Sequence, residues 1–373
     1  MEYILTTPGG SGSEEIPLDR RADQLTEIPT DQLMAIHDRA GPLQREVLID
    51  YPATLPVPLR DDLEYYDGAQ FFLLHIAKTL EDAGHEPALT QREHLLLNAT
   101  NGVNDWWIDE SGWEQDGARD YDSIVEAFDG INAVCYSYLN PETDGRSAIE
   151  TDNPEVQHVI EFYDYALSQM PAEHRPALAK LLISINLYQG VSLYQEKGFR
   201  EHMLLEGLTF EGRDISQGEL QMLDRMRVEK GGFIFTYLWP YFPELSDSIV
   251  IPDEPPTIEG AIDRFLEGQS LYSQARLGRR LLEVGGIVQL MDDSCDREED
   301  WNRGVVSPEN VGPAFAARQN ENWGDMVDRV LGELTALMDV EHEEGQLIAV
   351  HAAATAVAGL TRYRAHRYGA VVV

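Results

Sequence analysis

Residues 281–304 form a segment that changes character half-way along. Leu281, Leu282, Val284, Ile287, Val288, Leu290 and Met291 recur at helical spacing, so one face of that helix has to be buried. The same helix then turns acidic. Asp292, Asp296 and Asp300 follow at i, i+4 and i+8 and form one ladder, with Asp293 beside its first rung and Glu299 flanking it. Stacked carboxylates repel one another unless a cation sits between them. Hard divalent ions such as Mg²⁺ take oxygen ligands and often bridge protein carboxylates to substrate phosphates. A solvated acidic face is the competing reading, in a chain with 66 acidic residues against 28 basic ones. Because the ladder continues a buried helix, the expectation is that it faces an interior cavity.

A second cluster repeats the pattern. Asn101, Asp105 and Asp109 recur at i+4 after the apolar run Leu95–Leu97, and Glu110 follows directly. A single Asp-x-x-x-Asp pair is common and carries little by itself. Two such ladders, each ending an apolar helical run, could hold several Mg²⁺ ions and a diphosphate between them.

Net charge sets further bounds. At −38, with the acidic excess spread over the whole chain, the sequence lacks the local block expected of an interaction tail. Lysine is rare and arginine supplies most of the positive charge. The pattern is that of salt-adapted, halophilic archaeal proteins, in which screening suppresses self-repulsion. Nucleic acid is not expected as a partner, because no basic patch offers itself to phosphates. Two cysteines, Cys135 and Cys295, make no disulfide framework and fit a reducing cytoplasm. Residues 1–20 lack the basic start and apolar stretch of a signal peptide. No apolar run reaches the roughly 18 residues a membrane span needs, so membrane insertion is not expected.

Periodicity predicts an all-α chain. Helical patterns cover 31–49, 63–84, 90–109, 121–139, 154–170, 174–203, 217–241, 257–297, 311–318 and 322–368, and strand-like alternation is nearly absent. Asp152-Asn153-Pro154 and Thr257-Ile258-Glu259 read as helix starts. Residues 1–30, rich in Gly, Ser, Pro and acid, read as a loose tail. Residues 31–373 then read as one large helical domain around a deep apolar cavity, with no linker between two cores.

Other residues could meet an anionic substrate. Lys230 precedes Gly231 and Gly232 inside a helical pattern, where each glycine costs about 1 kcal/mol against alanine. That cost points to a helix break, a close backbone approach to a ligand, or an ordinary packing pair. Arg362, Arg364 and Arg367 gather near the C-terminus; arginine suits bidentate phosphate contacts, and it also compensates a helix dipole. Phe233, Phe235, Tyr237, Trp239, Tyr241 and Phe242 follow the glycines, and Trp106 and Trp107 lie beside the first cluster. They read as core, with faces able to stabilise a cation. His75, His94 and His202 show no metal-ligand spacing.

These residues together resemble the class I isoprenoid synthases. The segment Gln289-Leu-Met-Asp-Asp-Ser-Cys-Asp-Arg-Glu-Glu-Asp300 has the metal-ligand spacing of terpene synthases. It is most similar to the second motif of the large-terpene synthases related to tetraprenyl-β-curcumene synthase, and it also resembles that of squalene and phytoene synthases. Lys230-Gly-Gly is similar to the Lys-Thr-Gly segment of prenyl diphosphate synthases. Arg362-Tyr363, 70 residues after Asp292, is similar to the Arg-Tyr pair of terpene cyclases. The first motif departs from the usual Asp-Asp-x-x-Asp, reading Asn104-Asp105-Trp-Trp-Ile-Asp109-Glu110.

The resemblance implies an all-α bundle that holds three Mg²⁺ and an allylic prenyl diphosphate. On that reading Asp105, Asp109, Asp292, Asp296 and Asp300 bind metal, with Asn101, Glu110, Asp293 and Glu299 supporting them. Lys230, Arg362 and Tyr363 meet the diphosphate. A homodimer stays open. Chain elongation needs a second cationic pocket soon after the first motif, where this chain carries Glu110, Glu114 and Asp116. The expected activity is therefore a terpene synthase, ahead of head-to-head condensation and of a non-catalytic isoprenoid-binding protein.

Overall fold

Helices start where capping chemistry places them. Asn153 accepts from the backbone N–H groups of Glu155 and Val156, with Pro154 in the first helical turn. Thr257 accepts from Gly260 N–H. Thr90 with Glu93, and Ser216 with Glu219, form reciprocal capping boxes. The computed structural model describes residues 67–107, 120–141, 151–206, 216–252, 254–272, 276–295, 323–338 and 344–369, with 307, 309 and 321.

Eleven α-helices run through these residues. They are α1 (Asp67–Asp82), α2 (Gln91–Trp106), α3 (Tyr121–Leu139), α4 (Pro154–Gln169), α5 (Arg175–Glu206), α6 (Gln217–Lys230), α7 (Phe235–Leu238), α8 (Ile258–Leu266), α9 (Arg276–Cys295), α10 (Trp323–Met338) and α11 (Glu344–Gly369). Two 3₁₀ segments, Gly231–Ile234 and Pro243–Ser248, join them. The described residues hold no strand, only an isolated antiparallel bridge between Ile249 and Tyr272. The protein is all-α in these residues.

Three expected helices are each interrupted. The pattern over 217–241 breaks at Gly231, because the chain there passes against α9. A Cβ on Gly231 would lie 2.5 Å from both Leu282 O and Gly286 N. The two glycine pairs, Gly231-Gly232 and Gly285-Gly286, thus allow backbone to meet backbone. The pattern over 257–297 breaks after Leu266. Gly268 takes φ +82°, a left-handed turn that suits glycine, and Arg225 donates to the carbonyls of Phe265 and Gln269 at 2.8 and 2.6 Å. The pattern over 322–368 divides into α10 and α11. The helices expected at 31–49 and 311–318, and the tail at 1–30, lie outside the described residues.

The helices pack in two groups. α3 lies along α5 and α4, and α2 packs on α4 and α1. In the second group α9 is central, touching α6, the 231–234 turn, α10 and α11, while α11 packs on α1. The buried face of α11 is mostly small: Ala349, Ala352, Ala353, Ala354, Ala356 and Ala358 are all buried, which lets helices approach closely. One hydrophobic cluster runs from Leu73 to Leu360 through both groups. No helix among the described residues is long and apolar enough to cross a membrane.

Candidate functional site

The acidic end of α9 is half-buried at Asp292 and Asp293. Burial pushes the Asp293 carboxyl up to about 7, against the pull of the Lys230 ammonium. Asp292 and Glu309 push in the same direction as burial, and Arg227 pulls with Lys230. Lys230 therefore acts on the second acidic motif, although the two are separated by more than sixty residues in sequence. Its glycines let the chain cross α9: the 231–234 turn packs directly on α9 at Leu282–Gly286, upstream of the acidic end. Arg227 donates to Gly286 O at 3.0 Å and fastens the same crossing.

A buried network holds the residue before Lys230. Glu229 is buried and accepts from Ser270 Oγ at 2.8 Å, with an Arg279 guanidinium nitrogen 3.7 Å away. Tyr188 shares a 3.2 Å hydrogen bond with Ser270 and accepts from Leu271 N–H at 2.7 Å. Burial raises the Glu229 carboxyl, opposed by the Ser270 hydrogen bond and by Arg279. The Tyr272 ring stacks on Tyr188 and its hydroxyl rests on Gly232, where a Cβ would collide with it. Gly232 is thus required by packing, and the chain passes close to protein there.

α11 reaches the same place. Thr361 Oγ1 lies 3.1 Å from Met291 Sδ, one residue before Asp292. Arg362 and Tyr363 follow Thr361 on that helix; their side chains lie outside the described residues.

On the other side, α2 carries the first motif. Asn101 is buried and donates to Thr236 Oγ1 of α7 at 2.8 Å. Thr236 donates to Phe233 O at 2.8 Å or to Asn98 Oδ1 at 3.2 Å. Asn104 donates to Asn186 Oδ1 at 2.8 Å and accepts from Tyr163 at 2.6 Å. Asn101 thus holds α2 to the segment that begins at Lys230. Asp105 occupies the next turn of α2, with its side chain outside the described residues. Asp109, Glu110, Asp296, Glu299 and Asp300 lie wholly outside them.

Among the described residues no group of three or more His, Cys, Asp or Glu is placed to hold a metal. His75 and His94 are held neutral, each lowered to about 4 by burial. Cys135 is buried and its thiol is pushed up by burial, so it is an inert core residue. Scanned against protein-family models the chain matches none, and a search of curated proteins likewise finds no match.

Several contacts had no sequence signal. Thr236 and Thr361 read as ordinary helix residues, yet each ties a neighbouring helix to a motif. Arg329, Glu309 and Ser294 form a further cluster behind the acidic end of α9.

Proposed function

We propose that this protein is a Mg²⁺-dependent class I terpene synthase of the isoprenoid-synthase bundle type, converting a long allylic prenyl diphosphate of about twenty to twenty-five carbons into a linear or cyclic terpene and pyrophosphate. One observation carries the reading. Lys230 acts on Asp293, beside the first rung of the ladder, and α11 is fastened to Met291 by Thr361, one residue before Arg362. A carboxylate ladder with cations on two sides is what a metal-bridged diphosphate needs.

The donor set fits Mg²⁺. Asp292 offers hard oxygen at the half-buried head of the ladder, and Asp296, Asp300, Asp105 and Asp109 would complete the ligands. Asn101, Glu110, Asp293 and Glu299 would orient them. Bound Mg²⁺ would neutralise the diphosphate and make it a better leaving group. Lys230 and Arg362 would take diphosphate oxygens, Tyr363 would donate to one, and all three would hold the leaving group away from the new cation. Phe233, Phe235 and Tyr237 follow Lys230 directly, so aromatic faces would stand next to the allylic carbons. Enclosure in a deep apolar cavity would delay quenching by water. The same reading takes the enzyme as cytoplasmic, with prenyl diphosphate as its partner.

Incubation with C15, C20 and C25 allylic diphosphates, Mg²⁺ and molar salt, followed by analysis of extracted products, tests this. A hydrocarbon or alcohol with released pyrophosphate is expected from one diphosphate alone. A longer diphosphate formed with isopentenyl diphosphate would make the protein an elongating prenyltransferase. A symmetrical C30 or C40 hydrocarbon would make it a head-to-head synthase.

A further inference from the structure

Behind the acidic end of α9, one arginine joins three separate pieces of chain. Arg329, on α10, donates from Nε and Nη2 to the two oxygens of Glu321, both at 2.9 Å. Its Nη2 also lies 2.9 Å from Glu309 Oε2 and 3.0 Å from Ser294 Oγ. Ser294 in turn donates to Leu290 O at 2.6 Å and sits 3.3 Å from Glu309 Oε2. Ser294 belongs to the motif itself, two residues after Asp292. The side chains of Arg329, Glu309 and Glu321 are 14%, 5% and 8% exposed, so this is not one of the solvated surface pairs that contribute little.

We infer that Arg329 is a positioning residue for the second acidic motif, fixing the turn Asp292–Ser294 against the chain that follows it. The inference rests on the metal–diphosphate reading above. The chemistry requires arginine in particular. Its planar fork presents several donors in fixed directions, so one group can serve two carboxylates and a hydroxyl together. A lysine ammonium keeps the charge but cannot span both oxygens of Glu321 and still reach Ser294. Without Arg329, two buried carboxylates would repel each other at the base of the ladder, and Ser294 would lose its anchor. Groups that orient metal-binding carboxylates in this way, without touching the metal, commonly set its affinity.

The test separates positioning from mere stability. Unfolding midpoints would be measured in EDTA for wild type, Arg329→Lys, Arg329→Gln and Leu167→Ala, a core truncation in α4. Each would then be titrated with Mg²⁺ at fixed inorganic pyrophosphate, recording the Mg²⁺ concentration that gives half of the added stabilisation. Arg329→Gln should raise that concentration about 10- to 100-fold, with Arg329→Lys between it and wild type. Leu167→Ala should lower the EDTA midpoint and leave the Mg²⁺ requirement unchanged. If both Arg329 variants lose stability but keep the wild-type Mg²⁺ requirement, the residue is structural and the inference is wrong. If Arg329→Gln does not fold, Arg329→Lys decides alone, and a requirement within about twofold of wild type overturns the inference. If wild type gains nothing from Mg²⁺ and pyrophosphate, the functional reading fails in its own right, and the positioning role falls with it.

Discussion

Where α2 approaches its acidic end, the side chains that hold it are neutral. Asn98, Thr100, Asn101 and Asn104 are all buried, and Tyr163, Asn186 and Thr236 answer them. Where α9 approaches its acidic end, the surroundings are charged: Lys230, Arg227 and Glu309 act on Asp293, and Arg329 pairs with Glu309 and Glu321. The difference is physical. A buried amide costs little once it is bonded, and it fixes the rotation of a helix without creating a field. Buried charges cost more to desolvate and hold their surroundings only when well paired. α2 is held by neutral hydrogen bonds, whereas α9 ends among charged groups of both signs.

The largest effect expected from this contrast is on the α9 side. Asp292→Asn and Asp296→Asn should each reduce pyrophosphate release by at least about 100-fold, because each removes a bridging carboxylate. The proteins should remain folded, since repulsion in the metal-free ladder is relieved. Steady-state release of pyrophosphate checks it, and near-native turnover in either variant would remove the ladder from the mechanism.

An intermediate effect is expected on the α2 side, and of a different kind. Tyr163→Phe removes the hydroxyl that Asn104 Oδ1 accepts from at 2.6 Å. The cost should be about 1–3 kcal/mol of stability. Chemical denaturation would measure it. The Mg²⁺ requirement should not change, because no charge has moved. A shifted Mg²⁺ requirement with unchanged stability would mean that the two helices are not held by different physics after all.

The smallest effect concerns pH. Glu229 is raised above its ordinary value of 4.5 by burial, so the folded protein keeps this proton where the unfolded chain has released it. That stabilisation is complete below the unfolded value and is lost as pH rises through the folded one. Glu229→Gln keeps an acceptor for Ser270 and cannot titrate. The stability of wild type relative to this variant should therefore fall as pH climbs from 4 towards 7, read from unfolding midpoints across that range. Parallel curves would mean that burial does not shift Glu229.

The same contrast explains what was legible in the sequence. Helix starts were, because Asn153-Pro154 and Thr257 act on backbone within three residues of themselves. The diglycine at 231–232 announced a break, but its cause, the pair at 285–286, is more than fifty residues away. The break after Leu266 was not legible: a lone Gly268 is tolerated in a helix, and the capping guanidinium comes from Arg225 on another helix. Asn101 was expected to support metal ligands, and its amide holds α2 to α7. Lys230 was marked in the sequence by its glycines, and in the fold its ammonium acts on Asp293. Arg329 had no local signal, since its three partners come from three parts of the chain.

The central claim is that the matched acidic ends and cations form one site for Mg²⁺ and diphosphate. Thermal unfolding of the full chain in molar KCl, with Mg²⁺ alone, pyrophosphate alone and both together, addresses it most directly. Ligands that bind only the folded state stabilise by mass action, by about 2.7 kcal/mol at one hundred times the dissociation constant. The account predicts a small shift with either ligand alone, and a shift of several degrees with both that disappears in Asp292→Asn. Equal midpoints in all four conditions, or a shift that Asp292→Asn retains, would contradict it.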